Sequence, residues 1–207
     1  MVLKGKILIF LLFTLNCFSQ RVTIYTNGDS VTFGYCNSPS ESYSWAYQLA
    51  NFTDSKVINS GISGQSICQS VSGHYTISIT PTCTANSIVI SAWCINDCWK
   101  CIDTTEFKTG YQTYLNQLVT NSCSKSRTVL ITWYVFDNPG FFTQAQYNVY
   151  RAIVKRLADS NGVLYWDAYQ YFIDNNLTSY FCDTAHESTQ GGIFIARGLK
   201  TYLASLF

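Results

Sequence analysis

Ser87-Ile88-Val89-Ile90-Ser91-Ala92-Trp93 is the stretch on which the fold turns. It is apolar toward both sides, short, and bounded by turn residues. Such a run reads as a strand covered on both faces, the kind found in parallel sheets. Working outward, similar runs recur at Val22-Thr23-Ile24-Tyr25, Val57-Ile58, Thr128-Val129-Leu130-Ile131-Thr132-Trp133 and Val163-Leu164-Tyr165-Trp166. Helical periodicity separates them. Trp45, Leu49 and Phe52 fall on one face of a helix over Tyr43–Phe52. Phe107, Tyr111, Leu115, Leu118 and Val119 mark a second helix, and Val149, Ile153 and Leu157 a third. Ile193, Ala196, Leu199 and Leu203 mark the last. Strands alternating with helices predict βαβ units and an α/β fold around a parallel sheet.

At 207 residues the chain fits one domain with a real core. Charged residues are 12%, aromatics 16%, and the formal net charge is +1. That balance excludes a disordered chain and gives no basic field for nucleic acid. No Glu/Lys-rich heptads run anywhere, which excludes a long coiled coil. Lys4 and Lys6 precede an apolar run from Ile7 to Leu15, followed by Asn16-Cys17-Phe18-Ser19. This pattern predicts a secretory signal peptide over 1–19 and a folded domain over 20–207. The nine positions of that run fall short of the roughly 20 needed for an integral membrane span. Nine cysteines less Cys17 leave eight, an even number, which in a secreted chain predicts up to four disulfides. Asn51-Phe52-Thr53 and Asn176-Leu177-Thr178 are N-glycosylation sequons suited to the same extracellular route.

In open parallel sheets, ligands bind beyond the carboxyl ends of the strands. Gly28-Asp29-Ser30 follows the first strand, Gly61 the second, and Asn96-Asp97 the third. Asp183-Thr184-Ala185-His186 precedes the last helix. Serine is a weak nucleophile at neutral pH and needs a base, which in turn needs an orienting group. Ser30, His186 and Asp183 supply these three parts. An acyl-transfer intermediate also needs hydrogen-bond donors at its oxyanion. The N–H groups of Ser30 and Gly61 and the amide of Asn96 are the candidates. The chemistry calls for no metal and no organic cofactor.

With these four blocks in this order, the sequence resembles the SGNH hydrolases, or GDSL esterase/lipase superfamily. Gly28-Asp29-Ser30 matches the first block, Asn59-Ser60-Gly61 an N-x-G turn, Cys94-Ile95-Asn96-Asp97 the G-x-N-D block, and Asp183-Thr184-Ala185-His186 the D-x-x-H block. The resemblance runs from Thr23 to about Leu203. It implies a three-layer α/β/α sandwich with a five-stranded parallel sheet of flavodoxin-like SGNH hydrolase topology. It also implies Ser30 as nucleophile, His186 as base and Asp183 as its orienting group, with Ser30, Gly61 and Asn96 as oxyanion hole. The expected activity is secreted serine-esterase hydrolysis of carboxylic esters, on short-chain acyl or carbohydrate O-acetyl substrates. The expected partner is a small-molecule, polysaccharide or lipid ester. Two alternatives are a lipase or phospholipase of the same superfamily, and a catalytically weak carbohydrate-binding module on the same fold.

Two positions depart from the pattern. Cys94 stands where the third block usually has Gly, and Glu187 follows His186 where Pro is common. A Cβ at 94 crowds the turn carrying Asn96 unless a disulfide sets it, and Glu187 bears on His186 basicity or substrate charge. Cys98-Trp99-Lys100-Cys101 has the C-x-x-C spacing of redox sites, and with Cys94 the cluster has zinc-ligand types. In a secreted chain with paired cysteines, disulfides are the expected fate of both. His74, in a Ser/Thr-rich stretch, reads as a solvated loop residue. Trp133 to Phe136 and Phe141-Phe142 border the expected cleft, as core packing or as an acyl or sugar surface.

Overall fold

The computed structural model describes residues 21–36, 44–68, 80–101, 103–137 and 141–206. The predicted signal peptide and His74 lie outside them. Five parallel strands form one sheet in the order β2-β1-β3-β4-β5, comprising β1 (Thr23–Gly28), β2 (Lys56–Gly61), β3 (Ser87–Ala92), β4 (Thr128–Thr132) and β5 (Leu164–Asp167). This is the predicted flavodoxin-like order, and it places the topological switch point between the neighbouring strands β1 and β3.

Seven α-helices connect and cover the sheet: α1 (Ser30–Phe33), α2 (Trp45–Thr53), α3 (Ile95–Lys100), α4 (Thr104–Thr120), α5 (Gln144–Asn161), α6 (Ala168–Asp174) and α7 (Thr189–Ala204). Helix α2 packs on α7, and α4 on α5, so the sheet lies between helical layers. Central position explains burial: every residue of β3 and β4 is buried. Helix starts are marked chemically. Ser44, Asp103, Thr143, Asp167 and Ser188 cap α2, α4, α5, α6 and α7, and Thr143 with Gln146 completes a capping box. Gly162, at φ +66°, closes α5 in the left-handed conformation.

Two predicted core positions face water instead. Val119 is 51% and Val149 50% exposed. In α5 the inward face is carried by Tyr147, Tyr150, Ile153, Val154, Leu157 and Ala158. Tyrosines hold core positions there, so a periodicity counted on aliphatics alone is drawn one step off.

Most of the aromatic stretch after β4 is core. Trp133, Tyr134 and Phe142 are buried, and Trp133 stacks near Trp45 and Phe172. Tyr147 donates its hydroxyl to Trp133 O at 2.9 Å and accepts from Trp133 N at 3.0 Å, which fixes the exit of β4. Phe141 alone turns outward, edge-on to the exposed Trp99.

Candidate active site

The first three strands end level with one another. Gly28, the last residue of β1, pairs with Gly61 on one side and Ala92 on the other. The segments leaving these strands therefore emerge side by side. At Gly28 the chain must turn hard against its neighbours: a Cβ there meets Ala92 O at 2.6 Å. Asp29 then caps α1, accepting from Val31 N–H at 3.0 Å, and Ser30 becomes its first residue. A first-turn N–H has no partner inside its own helix, so the Ser30 amide stays available beside its hydroxyl.

The structure brings Ser30, His186 and Asp183 together across 156 residues of sequence. His186 Nε2 lies 2.8 Å from Ser30 Oγ, and His186 Nδ1 lies 2.7 Å from Asp183 Oδ2. The other carboxylate oxygen, Asp183 Oδ1, accepts the backbone N–H groups of Ala185 at 2.8 Å and His186 at 2.7 Å. One carboxylate thus shapes its own loop and orients the imidazole. Partial burial pushes the Asp183 carboxyl up, but the hydrogen bonds from Ala185, the imidazole and the His186 amide together outweigh it and hold it below the usual value. An ionised Asp183 accepts a hydrogen bond from a protonated His186 Nδ1 and so leaves Nε2 as acceptor for the Ser30 hydroxyl. The loop is fastened by the Cys36–Cys182 disulfide, by Cys182 N–H to His186 O at 2.9 Å, and by Phe136 N–H to Thr184 O at 2.9 Å.

Asn96 is the second residue of α3, and its backbone N–H faces Asp29, the residue before Ser30. Its Nδ2 is buried and donates to no acceptor among the described residues. Gly61 is placed differently from the sequence expectation. Its N–H already donates to Asn59 Oδ1 at 2.9 Å, and its Cα faces the backbone of α1. A Cβ on Gly61 meets Phe33 N at 2.4 Å and Thr32 C at 2.7 Å, so this glycine is required by packing. We expect Gly61→Ala to destabilise the fold by about 3 kcal/mol or more, read as a lowered unfolding midpoint in urea. A midpoint within error of wild type contradicts that packing role.

Gly64, three residues on, has the free geometry. It adopts φ +77°, its N–H makes no hydrogen bond among the described residues, and its carbonyl accepts from Lys100 Nζ. Lys100 belongs to the helix that carries Asn96, four residues further along and hence on the same face. Two more ties join these segments. Asp97 Oδ1 accepts from Ser66 Oγ at 2.8 Å and Ile67 N at 2.6 Å, and Cys68 is disulfide-bonded to Cys101. Helix α3 thereby holds the 64–68 segment against the Asn96 side of the site.

Three carboxyls lie buried beneath the site. Burial pushes Asp29 up to about 7, with the Asp97 charge adding to it and the Val31 and Asn96 N–H groups opposing it. Burial likewise pushes Asp97 up to about 6, against hydrogen bonds from Ile67 and Ser66. Glu187 is 1% exposed, and burial with the nearby Asp29 charge raises it well above the usual range. Glu187 therefore cannot meet substrate as a surface charge. A carboxyl raised in the folded state contributes stability that is complete below its unfolded pKa and is lost as pH rises through the folded value. For Asp29 and Asp97 that window runs from 3.8 to about 7. Asp183, lowered instead, loses its contribution only at pH below that window. We expect the melting temperature to be roughly 3–6 °C higher at pH 5 than at pH 8, with Asp29→Asn flattening the slope. A melting temperature that rises toward pH 8 contradicts this.

Among the described residues three disulfides form, Cys36–Cys182, Cys68–Cys101 and Cys83–Cys123, while Cys94 and Cys98 are free thiols. The C-x-x-C is thus not a pair, since Cys101 joins Cys68. Cys94 is not set by a disulfide: it holds φ +152°, a conformation that favours glycine, and buries its side chain in the core. Among the described residues, two groups of metal-ligand type occur, Cys36–Asp183–His186 and Cys68–Cys101–Glu106. Both rely on sulfurs already consumed in disulfides.

A family model, the GDSL-like lipase/acylhydrolase family, matches residues 27–191. Solved structures with the same fold include a lipase/acylhydrolase from Enterococcus faecalis, 18% identical with a TM-score of 0.67, over 87% of this chain and 96% of that one. An acetyl xylan esterase is 20% identical, with a TM-score of 0.66 over 88% of this chain and 99% of that one. A mutant of an acetyl-xylooligosaccharide esterase from Geobacillus Stearmophilus is 19% identical, with a TM-score of 0.62 over 89% and 94%. No match is found among curated proteins.

Proposed function

The chain belongs to the GDSL-like lipase/acylhydrolase family, and from that premise we propose that it is a secreted serine esterase that cleaves short acyl esters of carbohydrates. The observation that carries this reading is the continuous line Ser30 Oγ–His186 Nε2, His186 Nδ1–Asp183 Oδ2, at 2.8 and 2.7 Å. It is a nucleophile with a base in reach and an oriented base behind it.

In acylation, Ser30 Oγ bonds to the ester carbonyl carbon while His186 Nε2 takes its proton. Asp183 stabilises the imidazolium that forms. The carbonyl oxygen, now negative, is met by the Ser30 N–H, the Asn96 amide and, in place of Gly61, the Gly64 N–H. The bond from carbonyl carbon to alcohol oxygen then breaks, and His186 passes the proton to the departing oxygen. Water repeats the sequence on the acyl-enzyme and releases the acid.

Short acyl groups are favoured by the small size of the cavity beside the nucleophile's helix turn, which is lined by Asp29, Val31, Trp93 and Trp133 and has room for about 10 Å³. A wider cavity, lined by Thr104, Lys108, Arg156 and Ser160, lies on the helices α4 and α5. Acetylated sugars are the named substrates of two structural neighbours. Secretion is supported by the three disulfides and by sequon asparagines, Asn51 and Asn176, that are both exposed. No helix among the described residues is long and apolar enough to cross a membrane.

The test is hydrolysis of p-nitrophenyl esters from acetate to long acyl chains. We expect kcat/KM to be highest on acetate and to fall by tenfold or more by the octanoate. A maximum on long chains overturns the short-acyl assignment in favour of a lipase.

A further inference from the structure

Tyr35 is a large aromatic side chain left 57% exposed directly beside the base. Its ring centroid lies 4.8 Å from that of His186, with the planes inclined at 39°. Nothing in the core requires it there, and its hydroxyl makes no hydrogen bond among the described residues. Yet its position is fixed from both sides. Tyr35 N–H donates to Ser30 O at 3.1 Å, so the residue is tied to the nucleophile's own helix. Gly34, at φ +94°, makes the turn that brings it back. The next residue, Cys36, is disulfide-bonded to Cys182 on the loop of Asp183 and His186. The ring is thus held between the two halves of the site, pre-organised and facing water.

We propose that Tyr35 is the platform on which the alcohol part of the ester stacks, and that this alcohol is a neutral sugar ring. The inference rests on the serine-esterase reading above and extends it to the leaving group. His186 Nε2 must deliver its proton to the departing alcohol oxygen. The alcohol therefore lies on the His186 side of the breaking bond, and the carbonyl oxygen lies toward Asn96. A ring seated on His186 touches the alcohol and not the acyl group. A flat aromatic face with a polar edge suits a pyranose, which presents a C–H face to the ring and keeps its hydroxyls in water. The Tyr35 hydroxyl adds a donor and acceptor at the rim. Charge selects further. The ionised group beside the ring is Asp183, with its carboxyl held low, and no cation of the described residues pairs with it other than a protonated His186. An anionic phospholipid headgroup is repelled there, whereas a neutral sugar is not.

The experiment compares kcat/KM on an acetylated xylo-oligosaccharide with kcat/KM on ethyl acetate, followed by titration of released acid. The ratio of the two is measured for wild type, Tyr35→Ala, Tyr35→Leu and Tyr35→Phe. We expect the ratio to fall tenfold or more in Tyr35→Ala, mainly through KM, and to fall similarly in Tyr35→Leu, which restores bulk without a flat face. Tyr35→Phe recovers most of it. In parallel, the deacetylated xylo-oligosaccharide is titrated against Ser30→Ala and against the double variant Ser30→Ala/Tyr35→Ala. Its Kd is expected to rise tenfold or more in the second. A ratio unchanged by Tyr35→Ala, or equal recovery by leucine, overturns the platform. If wild type cleaves ethyl acetate but gains nothing from the sugar, the sugar assignment falls and the esterase stands. If neither ester is cleaved, the serine-esterase reading falls, and the sugar titration still decides the platform by whether Tyr35→Ala weakens it.

Discussion

Ser30→Ala is expected to lower turnover on p-nitrophenyl acetate by about 10⁴-fold or more while the protein stays folded. The size follows from what the hydroxyl does. Without Oγ no acyl-enzyme forms, and the remaining donors can only polarise a carbonyl that water must attack unaided. Residual catalysis from those donors and from substrate binding keeps the rate above that of water. The folding cost is small by comparison. Ser30 Oγ has one side-chain partner, His186 Nε2, so its removal forfeits a single hydrogen bond of about 1 kcal/mol. Alanine also keeps the backbone that Asp29 caps, and the α1 turn survives. The check is kcat/KM beside a melting curve. Turnover within tenfold of wild type, from a variant that melts like wild type, removes Ser30 from the mechanism.

The parts of this molecule legible in its sequence are those where local pattern and global position agree. Ile88-Val89-Ile90 are β-branched, short and apolar, and they occupy the centre of the sheet, where both faces are covered. The three blocks at strand ends follow from the same logic, because a parallel sheet gathers its strand-end residues at one edge, whereas the order of the strands is what the family resemblance implies. Helices α3 and α6 escaped the periodicity argument for a physical reason. At six and seven residues they complete fewer than two full turns, too few to repeat a face. The cap of α6, Asp167, is hidden at the end of a strand, and α3 has no side-chain cap at all, since Cys94 makes no capping hydrogen bond.

The site shows the same division. Asp183 and His186 were readable because three-residue spacing lets one loop hold both. The proposed exchange of Gly61 for Gly64 was not, because it rests on which N–H is already spent: Gly61 N–H donates to Asn59, and the Gly61 Cα packs on the backbone of α1. Disulfide pairing was likewise out of reach, since Cys36 and Cys182 lie 146 residues apart and meet only through the fold. The exposed ring of Tyr35 carried no motif at all. It becomes informative only when His186 is seen beneath it.

Asp183→Asn is expected to cost about 10³–10⁴-fold in kcat at neutral pH, with little change in stability. The substitution is nearly isosteric. Its amide oxygen can keep accepting the Ala185 and His186 N–H groups now bound at 2.8 and 2.7 Å, so the loop retains its shape. What changes is the atom facing the imidazole. In wild type Asp183 Oδ2 lies 2.7 Å from His186 Nδ1, and an ionised carboxylate there calls for the ring proton on Nδ1. In the variant that atom becomes an N–H₂ donor. It requires Nδ1 to be the acceptor and so moves the ring proton to Nε2. A protonated Nε2 cannot take the proton from Ser30 Oγ, and the base is lost though every heavy atom remains in place. Asp183→Ala makes the contrast. It removes the wrong donor but also removes both loop hydrogen bonds, so its loss is expected to include a lower melting temperature that Asp183→Asn does not show. Measured kcat, melting temperature and the ¹⁵N shifts of the two imidazole nitrogens distinguish them. An asparagine variant that keeps a protonated Nδ1 and loses less than tenfold in kcat denies Asp183 the task of choosing the tautomer.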